Sequence, residues 1–146
     1  MKRLMLLVAL LAAACSRPGS DEAFVRTDQR DEQGRYAFTL AMDDSLATYD
    51  ITVYAAAHAN DRETLPEFVL GVEWEAPSGQ PYYEQVRLGP EHLRQRLFFA
   101  KYLCGDLRRE AVPAEWGIWK LYITVADGEQ SLDGLGIRTK RNYGSR

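Results

Sequence analysis

Paired cysteines, histidines and long apolar runs are all scarce in this chain. Of its 146 residues only Cys15 and Cys104 are cysteines and only two are histidines. If Cys15 is spoken for, Cys104 has no intrachain partner, and a disulfide framework is excluded. His58 and His92 lie in unrelated segments, and the sequence contains no His-Glu-x-x-His metal motif, no Gly-x-Ser-x-Gly elbow and no phosphate-cradling glycine loop. The expectation is therefore no enzyme, with no catalytic residue, no metal and no cofactor. A basic excess is also lacking: 18 Lys and Arg stand against 21 Asp and Glu, for a formal charge of −3. No basic patch interleaved with aromatics occurs, which argues against nucleic acid as a partner. No apolar run approaches the roughly 18 residues of a membrane helix.

What is present at the N-terminus is an address. Lys2 and Arg3 form a positive n-region, and Leu4 to Ala13 an apolar run too short to span a bilayer. Small residues, Ala12-Ala13-Ala14, then lead directly into Cys15. This reads as a bacterial lipoprotein signal over residues 1–14, with lipid attachment at Cys15. An ordinary secretory signal ending in Ala-x-Ala is the competing reading and leaves Cys15 a plain thiol. Ser16 is of the outer-membrane type, since Asp at that place is the usual inner-membrane retention signal. The expected localisation is an outer membrane lipoprotein, held by its N-terminal lipid, at the periplasmic face or the cell surface.

Residues 15–34 are charged and turn-prone, with only Phe24 and Val25 as apolar content, and read as a lipidated, flexible tether. Its reach, fully extended, is about 60 Å. From residue 35 to 146 the chain alternates with period two. Tyr36, Phe38 and Leu40 form one face; Tyr49, Ile51, Val53 and Ala55 another; Phe68, Leu70, Val72 and Trp74 a third. Pro77-Ser78-Gly79 turns that third strand into Tyr82–Leu88, a hairpin. Leu93, Leu97, Ala100 and Cys104 stand at helical spacing, while the same stretch also allows a helical turn over 90–95 and a strand over 97–103. Leu107–Glu115 is charged and reads as a connection. Trp119, Leu121, Ile123 and Val125, then Leu135, Ile137 and Thr139, complete the alternation. The expected fold is an all-β antiparallel two-sheet β-sandwich of about seven to eight strands.

Several residues could carry chemistry. Glu73 and Glu75 share one strand face about 7 Å apart, a separation used by inverting glycosidases, although a solvated outer face is the simpler account. Asp43 and Asp44, with Asp61 or Asp127, could bind calcium, or be turn formers. Cys104 reads as a buried small apolar residue. Among the aromatics Tyr54, Tyr82, Tyr83, Trp116 and Tyr122 exceed what a core requires. Tyr82, Tyr83 and Trp116 are the candidate ligand or partner surface, open to a glycan or a protein. The basic tail Arg138, Lys140, Arg141 and Arg146 is a solvated end or a contact to anionic headgroups.

Glu115-Trp116-Gly117-Ile118-Trp119-Lys120-Leu121-Tyr122-Ile123, followed by Leu132-Asp133-Gly134-Leu135-Gly136-Ile137-Arg138, resembles the end of bacteroidete gliding-motility lipoproteins of the GldH type. Tyr49-Asp50-Ile51-Thr52-Val53-Tyr54 and Val72-Glu73-Trp74-Glu75-Ala76-Pro77-Ser78-Gly79 resemble that family's paired strands before a Pro-x-Gly turn. The likeness runs over residues 35–141 by order of elements. The family's Asn-rich and Gly-rich segments are replaced here by Ala56–Asn60 and Arg94–Arg109, so the chain looks like a divergent member. The resemblance implies an accessory of an envelope machine for gliding and secretion, with other envelope proteins as partners and no catalytic residues. It also favours the strand over 97–103. A surface glycan-binding lipoprotein is the alternative function.

Overall fold

In the computed structural model, which describes residues 19–58, 67–96 and 100–144, alternating segments become strands because each has one face to bury. In chain order these are β1 (Ser20–Arg26), β2 (Tyr36–Met42), β3 (Ala47–His58), β4 (Phe68–Glu75), β5 (Pro81–Leu88), β6 (Leu93–Arg96), β7 (Ala100–Ala111), β8 (Gly117–Asp127) and β9 (Leu132–Tyr143). They form two sheets, five-stranded in the order β1-β9-β3-β7-β6 and four-stranded in the order β2-β8-β4-β5. Every described pairing is antiparallel. The β-sandwich is thus as the alternation implies, with nine described strands where seven to eight were expected.

The inward faces are the ones the period-two pattern marks. Tyr36, Phe38, Leu40 and Met42 meet Phe68, Leu70, Val72, Trp74, Leu121 and Ile123 in one sheet. Tyr49, Ile51, Val53, Leu103, Leu135 and Ile137 face them from the other. Each such side chain contributes about 1.5–3 kcal/mol through removal from water. Two of the buried phenols keep polar partners: Tyr36 Oη lies 2.9 Å from Thr27 Oγ1, and Tyr49 Oη accepts from the Asp44 amide at 3.0 Å. Burial raises the Tyr36 pKa, and its bond to Thr27 opposes that shift.

The open sides of the sandwich are closed by polar ties between sheet edges. On one side Thr27, just past β1, meets Tyr36 of β2 and donates to the Leu132 carbonyl at 2.9 Å. On the other, Arg108 of β7 donates to both carboxylate oxygens of Glu84 in β5 at 3.0 Å, and Glu84 also accepts the Trp74 indole N–H.

Three boundaries differ from the sequence reading. Ser20–Arg26, expected as part of a tether, is a strand hydrogen-bonded along β9. Charge pairing accompanies the seven-residue register: Glu22 lies 3.5 Å from Arg138, and Asp21 lies 3.6 Å from Arg141. An acidic run that looked solvated has a basic strand beside it, and the sandwich begins near residue 20 rather than 35. The helix over Leu93–Cys104 does not form; a single 3-10 turn, Pro90–His92, leads into β6 and β7. The strand reading holds from Ala100 on, while 97–99 lie outside the described residues. Finally, β7 runs to Ala111, through the charged stretch read as a connection. β6 covers β7 only as far as Leu103, so the remainder is a sheet edge, where charges discourage pairing with other chains.

Candidate functional site

Gly134 and Gly136 stand two residues apart on β9, so both present their missing side chains to the outer face of the five-stranded sheet. Glycine in a strand interior marks close approach by something else. Here it is two aromatic rings. Phe24 crosses from β1 over Gly134, and Tyr54 crosses from β3 over Gly136; a Cβ at either glycine would overlap the ring above it. The ring centroids are 6.0 Å apart and the planes differ by 13°. That spacing matches the roughly 7 Å step between alternate strand residues, so the rings lie side by side, flat on the sheet. Tyr102 of β7 stands next to Tyr54 at 6.5 Å, tilted by 56°. The result is a floor of two rings and a wall formed by the third.

Two open depressions meet along this row, both bordered by Phe24 and Tyr102. One, of about 1040 Å³, extends over Ala56 and Leu132 to Arg26, Asp28, Arg30, Glu129, Gln130 and Asp133. The other, of about 520 Å³, is completed by Glu22, Thr52, Tyr54, Arg94, Cys104 and Arg138. The rim charges are mostly paired within the protein: Arg26 with Asp28 at 2.8 Å, Glu22 with Arg138, and Arg30 with Glu129. Phe24 stays 43% exposed. Burial, reinforced by a hydrogen bond to Glu22, pushes the Tyr54 phenol far above its ordinary range. It remains a neutral donor throughout the physiological range. Burial also raises the Cys104 thiol, with Arg138 and Arg94 opposing, so Cys104 is half-buried and poorly ionised, close to the packing role expected of it.

The residues singled out from sequence are distributed otherwise. Tyr82 and Tyr83 are neighbours on β5 and point to opposite faces. Tyr82 leans toward Trp119, 6.1 Å between ring centroids, in a small cleft of about 210 Å³ lined also by Met42, Trp74 and Arg108. Tyr83, 72% exposed, lies on the outer face of the four-stranded sheet beside Arg35, Glu73 and Tyr122, with the Arg35 guanidinium 3.9 Å above the Tyr122 ring. Trp116, 42% exposed, precedes β8. The three therefore do not make one platform, and the aromatic surface that does exist uses Phe24, Tyr54 and Tyr102. Of these only Tyr54 stood among the surplus aromatics; the glycine pair at 134 and 136 was the available signal for the others.

Glu73 and Glu75 sit on the outer face of β4 and face cations, Arg35 at 3.8 Å and Lys120 at 3.7 Å. Asp43 and Asp44 follow β2, whose Met42 pairs with Gly117 at the start of β8, whereas Asp127 ends β8. The length of that strand, about 33 Å, keeps them apart, and Asp61 lies outside the described residues. His92 Nδ1 accepts the Gly89 amide at 3.0 Å within its 3-10 turn, and His58 ends β3. Cys15 lies outside the described residues. Among the described residues no group of three or more His, Cys, Asp or Glu could hold a metal ion, and no helix is long and apolar enough to cross a membrane.

Fold and site together define an antiparallel β-sandwich with an aromatic groove on the outer face of its larger sheet. No protein-family model matches the chain, and no curated protein matches it.

Proposed function

We propose that the chain is a lipid-anchored, non-enzymatic β-sandwich that serves as an accessory or interaction module of an envelope complex. The single observation that carries the binding role is the outward-facing row of Phe24, Tyr54 and Tyr102, a continuous aromatic surface on a sheet face that otherwise meets solvent. The anchor rests on Ala12-Ala13-Ala14-Cys15 behind a short apolar run, and the outer-membrane assignment on Ser16. The resemblance to gliding-motility lipoproteins of the GldH type supports a complex of the gliding and secretion kind. Crosslinking in intact cells, followed by identification of what is attached, tests it. Other envelope proteins captured by the native chain are the expected result, and capture of none counts against the reading.

A second reading, a surface glycan-binding lipoprotein, is favoured by one specific feature: the two floor rings are nearly parallel, 13° apart, and present faces, not edges. Flat ring faces suit the apolar side of a sugar better than the interdigitating side chains of a protein core.

A further inference from the structure

We infer that the groove over Gly134 and Gly136 is a carbohydrate subsite, in which Phe24 and Tyr54 stack on the apolar face of a pyranose ring and Tyr102 walls its edge. The inference rests on the glycan reading above and names its site and ligand class. Four observations carry it.

The floor is held flat by the backbone itself. Each ring lies where a glycine leaves room for it, one from each neighbour of β9, with planes 13° apart. A flat, outward π-face offers dispersion contact to a flat partner and no hole for a protein knob.

The third ring does not continue the floor. Its 56° tilt at 6.5 Å from Tyr54 makes an angled corner, so a ring seated on the floor meets an apolar surface on a second side.

The rim is electrically balanced. Four carboxylates, Glu22, Asp28, Glu129 and Asp133, and four guanidinium groups, Arg26, Arg30, Arg94 and Arg138, line the two depressions. A site for a phosphate or an acidic polymer needs an excess of one sign. A neutral polyol needs donors and acceptors alternating around an apolar floor, which is what paired Arg and carboxylate side chains supply.

The trench is also long. Depressions of about 1040 and 520 Å³ share the Phe24 and Tyr102 rings at their junction. The stacking corner thus sits in mid-groove with open space on either side, suited to an internal unit of a chain rather than to a lone monosaccharide.

The test uses the full-length lipidated protein in detergent and affinity gel electrophoresis against laminarin, xylan, galactomannan, hydroxyethylcellulose and dextran, with heparin as the anionic comparison. Retardation by at least one neutral polysaccharide is expected, little changed by raised salt because no net charge drives it. Phe24→Ala and Tyr102→Ala are each expected to weaken it by about tenfold, the loss of one stacking contact. Tyr54→Phe, which keeps the ring over Gly136, is expected to retain binding, and loss there counts against stacking. Val112→Ser, at an exposed position away from the groove, serves as the unaffected control. Far-UV circular dichroism verifies that each variant is folded. Binding that survives both alanine substitutions overturns the site while leaving the glycan reading intact. Failure to retain any neutral polysaccharide overturns the reading and the site together. A dimer or a protein complex that Phe24→Ala dissociates, with polysaccharides ignored, also overturns the inference and makes the face a protein interface.

Discussion

At Gly136 a single methyl group is enough to disturb the groove, because the Tyr54 ring occupies the space a Cβ would take. Gly136→Ala is therefore expected to lower stability by about 1–3 kcal/mol, the usual cost of forcing an extra carbon into a packed contact, as read by urea unfolding. With Tyr54→Ala in the same chain the clash is gone, and the pair should cost less than the sum of the two single changes. Strict additivity in that cycle would mean that the ring does not rest on this glycine. Part of the arrangement is visible in the sequence: glycines at 134 and 136 share one face of a strand, and alternate glycines imply that something covers them. Which rings cover them depends on register, with Phe24 and Tyr54 both set opposite Gly136 from either side. Register is a long-range property that periodicity does not carry. Phe24 was further concealed by its charged neighbours, whose partners, Arg138 and Arg141, lie more than a hundred residues away in the chain.

Strands show how local and long-range information divide. Where one face is buried and the other wet, alternation located the strand and its inward side chains, as in β2, β4 and β8. Where a strand lies at an edge, alternation blurs, and the sequences of β1 and the far half of β7 look irregular for that reason. β7 carries a further device that no periodicity reveals. Its register against β3 shifts near Ile51, and Glu110 there takes a left-handed φ of 46°. The Glu110 amide is caught by Asp50 Oδ1 at 2.7 Å, while Asp50 Oδ2 accepts from Asn142 at 2.8 Å. This carboxylate thus ties the bulge in β7 across β3 to β9. Asp50→Ala is expected to cost about 1–2 kcal/mol through loss of those bonds. The Glu110 amide bond, then the Asn142 bond, hold the Asp50 pKa below its ordinary value of 3.8. The associated stability is therefore complete above that value and is lost as pH falls through the depressed folded pKa. Urea unfolding from about pH 5 to pH 2 should show a shallower acid decline in Asp50→Asn than in the native chain. An equal acid slope in both would remove Asp50 from the linkage. At Glu110 itself, valine should destabilise by about 1–2 kcal/mol because a branched side chain resists the left-handed region, while glycine should not. Thermal melts of the two variants, differing by several degrees with valine the lower, check this.

For the molecule as a whole, the early start of β1 alters how the sandwich would stand on a membrane. Between Cys15 and Ser20 the chain has only five steps, a reach of about 17 Å at most, in place of the 60 Å that a tether to residue 34 would allow. An acyl chain on Cys15 would then hold the Ser20–Lys140 end of the five-stranded sheet close to the headgroups. The opposite end of β1, where Arg26 pairs with Gly134, would point away, with the groove running up the outer face between them. The anchor position and the groove are separable in this arrangement, since β1 is tied to β9 through its own backbone register. Cys15→Ala is accordingly expected to abolish incorporation of labelled palmitate and leave residues 1–14 on the chain by intact mass. The native protein should take up the label, start at residue 15 and partition into the detergent phase of Triton X-114. The far-UV spectrum and the urea midpoint of the Cys15→Ala sandwich should stay within about 0.5 kcal/mol of native, because β1 is held by its own register against β9. Equal palmitate labelling of both proteins would remove Cys15 as the attachment point. A collapse of stability in Cys15→Ala would instead mean that the N-terminal segment contributes to the fold beyond β1.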